Sequence, residues 1–165
     1  NQLPEMTYIS DDDIASSLQR YNRWNNSTDG ESPAVIHDEM QRVMQEDFGV
    51  FRTGEVMASG LKRLQALRER LAHAKLEDKS NVFNTERVSA LELDNLMATA
   101  YATAQSAIVR TESRGAHSRE DYPKRDDENW IKHTLYFEEG EKIDFRPVNA
   151  SPKHVEPFAP KERVY

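Results

Sequence analysis

The 165-residue chain contains no cysteine, so it supplies no disulfide framework, no thiolate nucleophile and no sulfur ligand for a metal. It has only six glycines, at positions 30, 49, 54, 60, 115 and 140, and their spacing cannot form the G-x-G-x-x-G turn that cradles a dinucleotide. Apolar runs are a few residues long, far short of the ~20 needed to cross a bilayer, and no signal-peptide pattern opens the chain. Any membrane association is therefore expected to run through other subunits. Basic residues are outnumbered 22 to 29, for a net charge of -7 and a pI near 5.3, which argues against the basic face that nucleic-acid binding requires. The histidines at 37, 73, 117, 133 and 154 show neither i, i+4 pairing nor an HExxH pattern, so no metal site is expected. Ser113 lacks the strand-turn-helix setting of a nucleophile, and no catalytic residue is assigned to this chain. The sequence begins at Asn1 rather than Met, and it is expected to be part of something longer.

With 31% charged against 37% hydrophobic residues and a mean hydropathy of -0.84, any core must be thin for the length. That balance fits an all-α, up-and-down bundle of three to four helices, spectrin-repeat-like, with an extended C-terminal tail. After a lead-in containing Pro4, Ser10 and Asp13 form a capping box for a helix over about 11–25, with Ile14, Leu18 and Tyr21 at helical spacing. Ser32-Pro33 starts a second helix with the stripe Ile36, Met40, Val43, Met44 and Phe48, closed by Gly49. Thr53 can cap a third, with the stripe Met57, Leu61, Leu64, Leu67, Arg68 and Leu71, continuing to about Leu76. Asn84 or Thr85 can cap a fourth over about 86–113, with Val88, Leu91, Leu93, Leu96, Met97, Ala100, Tyr101, Ala104 and Ile108 facing inward. Arg114-Gly115 reads as its end, since glycine reaches the left-handed C′ conformation freely and Arg110 and Arg114 complement the helix dipole.

Beyond Gly115 the character changes. Lys132 to Glu138 and Lys142 to Val148 flank the turn Glu139-Gly140-Glu141 as a β-hairpin, and Pro152, Pro157 and Pro160 favour an extended strap to Tyr165. Residues 1–115 are thus expected to form the bundle domain, and 116–165 a segment packing on other parts of a larger protein. Asp126-Asp127-Glu128 reads as an ion-paired loop. Arg114 is expected to sit against another domain, bonded there to carboxylates or carbonyls.

Arg-Thr-Glu-Ser-Arg-Gly-Ala-His-Ser-Arg (110–119), Arg-Asp-Asp-Glu-Asn-Trp (125–130) and Lys-His-Thr-Leu (132–135) resemble the C-terminal signature of the succinate dehydrogenase flavoprotein subunit. Leu-Gln-Arg-Tyr-Asn-Arg-Trp-Asn-Asn (18–26), Phe-Asn-Thr-Glu-Arg-Val (83–88) and Leu-Glu-Leu-Asp-Asn-Leu-Met-Ala-Thr-Ala (91–100) fit the same family. Fumarate reductase and L-aspartate oxidase share the Glu-Ser-Arg-Gly core, and the longer run to Leu135 favours succinate dehydrogenase. The resemblance implies a parent enzyme that oxidises succinate to fumarate. Its FAD and catalytic residues would lie in parts preceding Asn1, with electrons passing to an iron-sulfur subunit and, through a membrane anchor, to quinone. It places the parent on the cytoplasmic side of a bacterial inner membrane. This chain would then be inactive alone, bind no cofactor, and offer Arg114, His117, Arg119, Trp130 and His133 as contacts to its own FAD-binding domain or the iron-sulfur subunit. A stand-alone helical interaction module is the alternative from another class.

Overall fold

The computed structural model describes residues 8–158 and 161. Pro4 in the lead-in, and Pro160 and Tyr165 in the strap, lie outside the described residues. The architecture is four helices followed by a two-stranded antiparallel hairpin, the helical class expected from the composition.

Helix α1 spans Asp11–Asn26. Its capping box is formed: the Ser10 hydroxyl accepts the Asp13 amide at 3.1 Å, and the Asp13 carboxylate accepts the Ser10 amide at 3.2 Å. The expected apolar stripe is not buried, because Ile14 and Leu18 remain 49% and 54% exposed. What anchors α1 instead is Trp24, fully buried, whose indole N–H donates to Asp94, and Arg23, which pairs with the same carboxylate at 2.7 Å.

Helix α2 spans Pro33–Asp47, entered through Ser32, whose hydroxyl accepts the Ala34 amide at 3.3 Å. Helix α3 spans Gly54–Ala72, with Thr53 Oγ1 accepting the Val56 amide. It stops four residues short of Leu76 because the chain there bonds elsewhere: the Lys75 amide donates to the Glu31 carbonyl, and the Ala74 carbonyl accepts the Ser27 hydroxyl. Ala74 and Leu76 are buried from irregular backbone. Gly30 makes this approach possible, since its φ of +128° excludes most side chains and a Cβ would collide with the His73 carbonyl.

Helix α4 spans Thr85–Val109, capped by Asn84, whose side-chain oxygen accepts the Arg87 amide at 2.8 Å. Its inward face is narrower than the sequence pattern: Leu93, Met97, Tyr101 and Ala104 are buried, while Val88 and Leu96 are exposed. It ends before Arg110, so Gly115 is not its C′ residue. Gly115 instead lies, at φ +60°, in a tight turn closed by reciprocal main-chain bonds between Arg114 and His117. The hairpin comes next as β1 (Lys132–Phe137) and β2 (Lys142–Pro147), with a 3-10 turn at Glu139–Glu141 and register from Lys132 opposite Pro147 to Phe137 opposite Lys142.

The described residues divide into two compact units, one of residues up to Met40 with Ala66–Met97, the other of Gln41–Gln65 with residues from Ala98 onward. The first buries Trp24, Ile36, Met40, Leu67, Leu71, Leu76 and Leu93. Arg70 grips Glu31 there at 2.6 and 2.7 Å, and this bond holds the Glu31 carboxyl below its ordinary range. The second buries Val43, Phe48, Met57, Leu64, Tyr101, Ala104 and Trp130, and it carries the candidate site.

Candidate functional site

Where α4 stops, the sequence Arg110-Thr111-Glu112-Ser113-Arg114 alternates charge with a period of two, which suits extended backbone and not helix. Glu112 is the centre of the arrangement. Its carboxylate is completely buried, yet it accepts Arg110 Nε and Arg114 Nε on one oxygen, both at 2.9 Å, and Arg114 Nη2 (2.9 Å) and the Asp126 amide (3.0 Å) on the other. Burial pushes its pKa up, but the bonds from Arg114, the Asp126 amide and Arg110 outweigh that, and it settles below the usual carboxylate range. A buried charge survives here because every lone pair that faces inward has a donor.

Arg110 also reaches across to the hairpin: Nη1 donates to the Lys132 carbonyl and Thr134 Oγ1, both at 3.1 Å, and Nη2 to the Trp130 carbonyl. Trp130 is buried, edge-on to Phe145 at 5.6 Å, with the Arg110 guanidinium over its ring at 5.1 Å and the Lys132 ammonium at 4.5 Å. Arg114 adds Asp127 at 2.7 Å, and Asp127 is shared with Arg125 at 2.8 Å. The acidic loop is therefore ion-paired, as expected.

Arg119 is 3% exposed and forms a fork onto Asp121, 2.7 Å on each arm, with Nη1 on the carbonyls of Ile108 and Arg110. The second oxygen of Asp121 also accepts the Gly54 amide at 2.8 Å, tying this loop to the start of α3. Arg119 holds the Asp121 carboxyl far below its ordinary range. His117 is half-buried, with Nε2 3.0 Å from the Arg110 carbonyl and Nδ1 3.4 Å from Arg52 Nη1. A carbonyl only accepts, so Nε2 carries the proton and Nδ1 accepts from Arg52. Burial, followed by the charges of Arg52, Arg119 and Arg110, pushes the His117 pKa down despite the carbonyl, which favours this neutral tautomer.

These groups surround a cleft of about 1170 Å³, whose lining includes Arg52, Arg110, Arg114, His117, Trp130, Lys132, His133 and residues between Val148 and Phe158. Of the five residues singled out in the sequence, Arg114, His117, Trp130 and His133 line it, and Arg119 is buried outside its lining, bonded to the carbonyls that end α4. The carboxylates bonded to Arg114 belong to this chain, not to another domain. Glu112, Arg52 and Asp121 were missed, and the alternating Arg-Glu-Arg spacing was the available signal for the first.

A sequence profile described as fumarate reductase flavoprotein C-term matches residues 37–165. The chain belongs to this family. The succinate dehydrogenase flavoprotein subunit of Coxiella burnetii is 57% identical over 152 residues, covering 92% of this chain and 26% of that protein. The fumarate reductase flavoprotein subunit of Haemophilus influenzae is 41% identical over 138 residues, covering 82% and 22%. Among solved structures, a variant of Escherichia coli quinol fumarate reductase superposes with a TM-score of 0.79 at 33% identity, over 93% of this chain and 27% of that one. The chain thus spans about a quarter of the length of these relatives.

Membership of a flavoprotein family implies FAD in the parent protein. Among the described residues, however, the sheet is a two-stranded antiparallel hairpin, and Gly115 and Gly140 sit in turns that lead into no helix. Nor do any three His, Asp or Glu side chains among the described residues converge as metal ligands. The arrangement can fix the end of α4, the acidic loop and the hairpin as one rigid surface. Among the described residues no helix is long and apolar enough to cross a membrane.

Proposed function

We propose that this chain is the C-terminal part of the flavoprotein subunit of a succinate dehydrogenase, with residues 1–115 as its helical domain and 116–165 packing on other parts of the complex. The observation that carries the reading is the 57% identity to the Coxiella burnetii subunit along nearly the whole chain. The parent oxidises succinate to fumarate on FAD held by its N-terminal portion and hands electrons to an iron-sulfur subunit. It sits on the cytoplasmic face of a bacterial inner membrane through anchor subunits. This chain's share of the work is structural: the Glu112 network stiffens a surface on which Arg114, His117, Trp130 and His133 contact the flavin domain or the iron-sulfur subunit, with Arg119 bracing them.

The test is to express the complete reading frame with its neighbouring subunits and measure succinate-dependent reduction of an artificial acceptor against fumarate-dependent oxidation of a reduced one. Succinate oxidation by a complex that retains flavin after purification is expected. A complex that only reduces fumarate favours the second reading, fumarate reductase.

A further inference from the structure

The guanidinium groups around the cleft are not equally neutralised. Arg110 and Arg114 share Glu112, Arg114 also has Asp127, and Arg119 has Asp121. Arg52 differs. Its Nε donates to the Gly49 carbonyl at 3.0 Å and its Nη1 to the His117 ring, and no carboxylate pairs with it among the described residues. Its backbone is nonetheless fixed, because the Glu120 amide donates to the Arg52 carbonyl at 2.9 Å and the two segments form an isolated parallel bridge. A rigidly placed guanidinium with free donors, beside a histidine held neutral, is an unfilled half of a fork-to-carboxylate pair.

The local charge runs against the whole molecule. The chain carries -7 overall, whereas among the described residues the cleft is lined by Arg52, Arg110, Arg114 and Lys132 against the single carboxylate of Glu156. The same lining includes the apolar side chains of Trp130, Ile131, Val148, Val155 and Phe158, and Phe158 is 95% exposed. At about 1170 Å³ the space exceeds what a lone small anion fills and is larger than the ~300–1,000 Å³ of ordinary ligand clefts. A lining that combines guanidinium and ammonium groups with these apolar side chains fits a side-chain carboxylate carried by a stretch of polypeptide with flanking aliphatic residues.

We propose that this cleft is a receptor for an acidic, aliphatic peptide segment of a partner protein, with the segment's carboxylate on Arg52 and its apolar side chains against the Val148–Phe158 wall. The proposal rests on the reading of the chain as an interface-forming domain, and it names the chemistry of the segment that docks.

The test uses the 165-residue chain and two blocked pentapeptides, acetyl-Val-Leu-Glu-Leu-Val-amide and its Gln counterpart, titrated while the His117 ring and Arg52 Nε resonances are followed by NMR. The Glu peptide is expected to shift both resonances and to bind at least ~10-fold more tightly than the Gln peptide. Arg52→Gln should erase that difference, and Arg52→Lys should retain part of it, with unchanged circular dichroism for both variants. Equal binding of the two peptides, or undiminished preference in folded Arg52→Gln, overturns the proposal. Sodium phosphate alone reproducing the shifts and displacing the peptide overturns it in favour of a small-anion site. Because the readout needs no flavin and no other subunit, its failure is distinguishable from failure of a succinate dehydrogenase complex to assemble or turn over.

Discussion

Replacing Glu112 by glutamine keeps the shape of the side chain and removes its charge. Three guanidinium N–H groups and one amide now donate to that carboxylate at 2.9–3.0 Å; the glutamine offers one oxygen and turns an NH2 toward donors. Removing one partner of a buried ion pair costs ~3–5 kcal/mol, and since Arg110 and Arg114 are still 16% and 31% exposed, part of the stranded charge is solvated and the cost belongs at the low end, about 3 kcal/mol. For a chain of this size each kcal/mol lowers the melting temperature by roughly 2–4 °C, so Glu112→Gln should melt roughly 6–12 °C below wild type at neutral pH. The pH dependence supplies a second check. The folded Glu112 pKa is depressed from its ordinary 4.5, so its contribution is complete above that value and lost as pH falls through the folded pKa. Scanning calorimetry across acid pH should therefore show the gap between the two proteins narrowing below about pH 4.5. A gap under about 2 °C at neutral pH, or one that stays constant into acid, would refute the account of Glu112 as the keystone of this corner.

Arg114→Lys keeps the charge but loses the fork onto Glu112, and a loss of ~1–2 kcal/mol in urea unfolding of this chain is expected, with strong coupling to Glu112→Gln in a double-mutant cycle. Gly30→Ala should be the more damaging of the loop substitutions: positive-φ strain of ~1–3 kcal/mol adds to the collision with the His73 carbonyl, and the urea midpoint should fall accordingly. The His117 ring should titrate below 6.5 by NMR, and Arg52→Gln should raise the midpoint by removing one of the repelling charges; because the folded value is depressed, the stability His117 contributes is complete above 6.5 and declines as pH drops toward that folded value. Amides of residues 149–158, where among the described residues the Ser151 amide donates only to the Asn149 side chain, should exchange at least ~100-fold faster than those buried in α3.

The capping chemistry was legible in the sequence wherever the cap is local. Ser10 with Asp13, Ser32 before Pro33, Thr53 and Asn84 each do what their spacing announces, and the hairpin's bounds agree with Gly140 lying between two alternating runs. Apolar periodicity was less reliable. Ile14 and Leu18 repeat at helical spacing and stay in solvent, because periodicity reports an amphipathic face without reporting whether anything covers it. Trp24, which the stripe omitted, is the residue actually buried. The ends of α3 and α4 were read too late for one shared reason. Helix-compatible residues continue past both ends, but the Lys75 and Ser113 amides donate to the distant Glu31 and Lys124 carbonyls in place of the next helical acceptor. The candidate site was found through its arginines and aromatics, whereas Glu112 passed for a helix residue because its partners are apparent only once the backbone is extended.

The Glu112 corner also bears on the order in which the chain acquires its structure. Its carboxylate finds Arg110 and Arg114 two residues away and the Asp126 amide fourteen residues away, whereas the pair that anchors α1, Arg23 with Asp94, spans seventy-one. Loop closure grows costlier with the length of the loop, and loops of about ten residues close in roughly 10–100 ns. During synthesis the stretch from Arg110 to Thr134 holds every group its corner needs within 24 residues, so it can lock as soon as it leaves the ribosome.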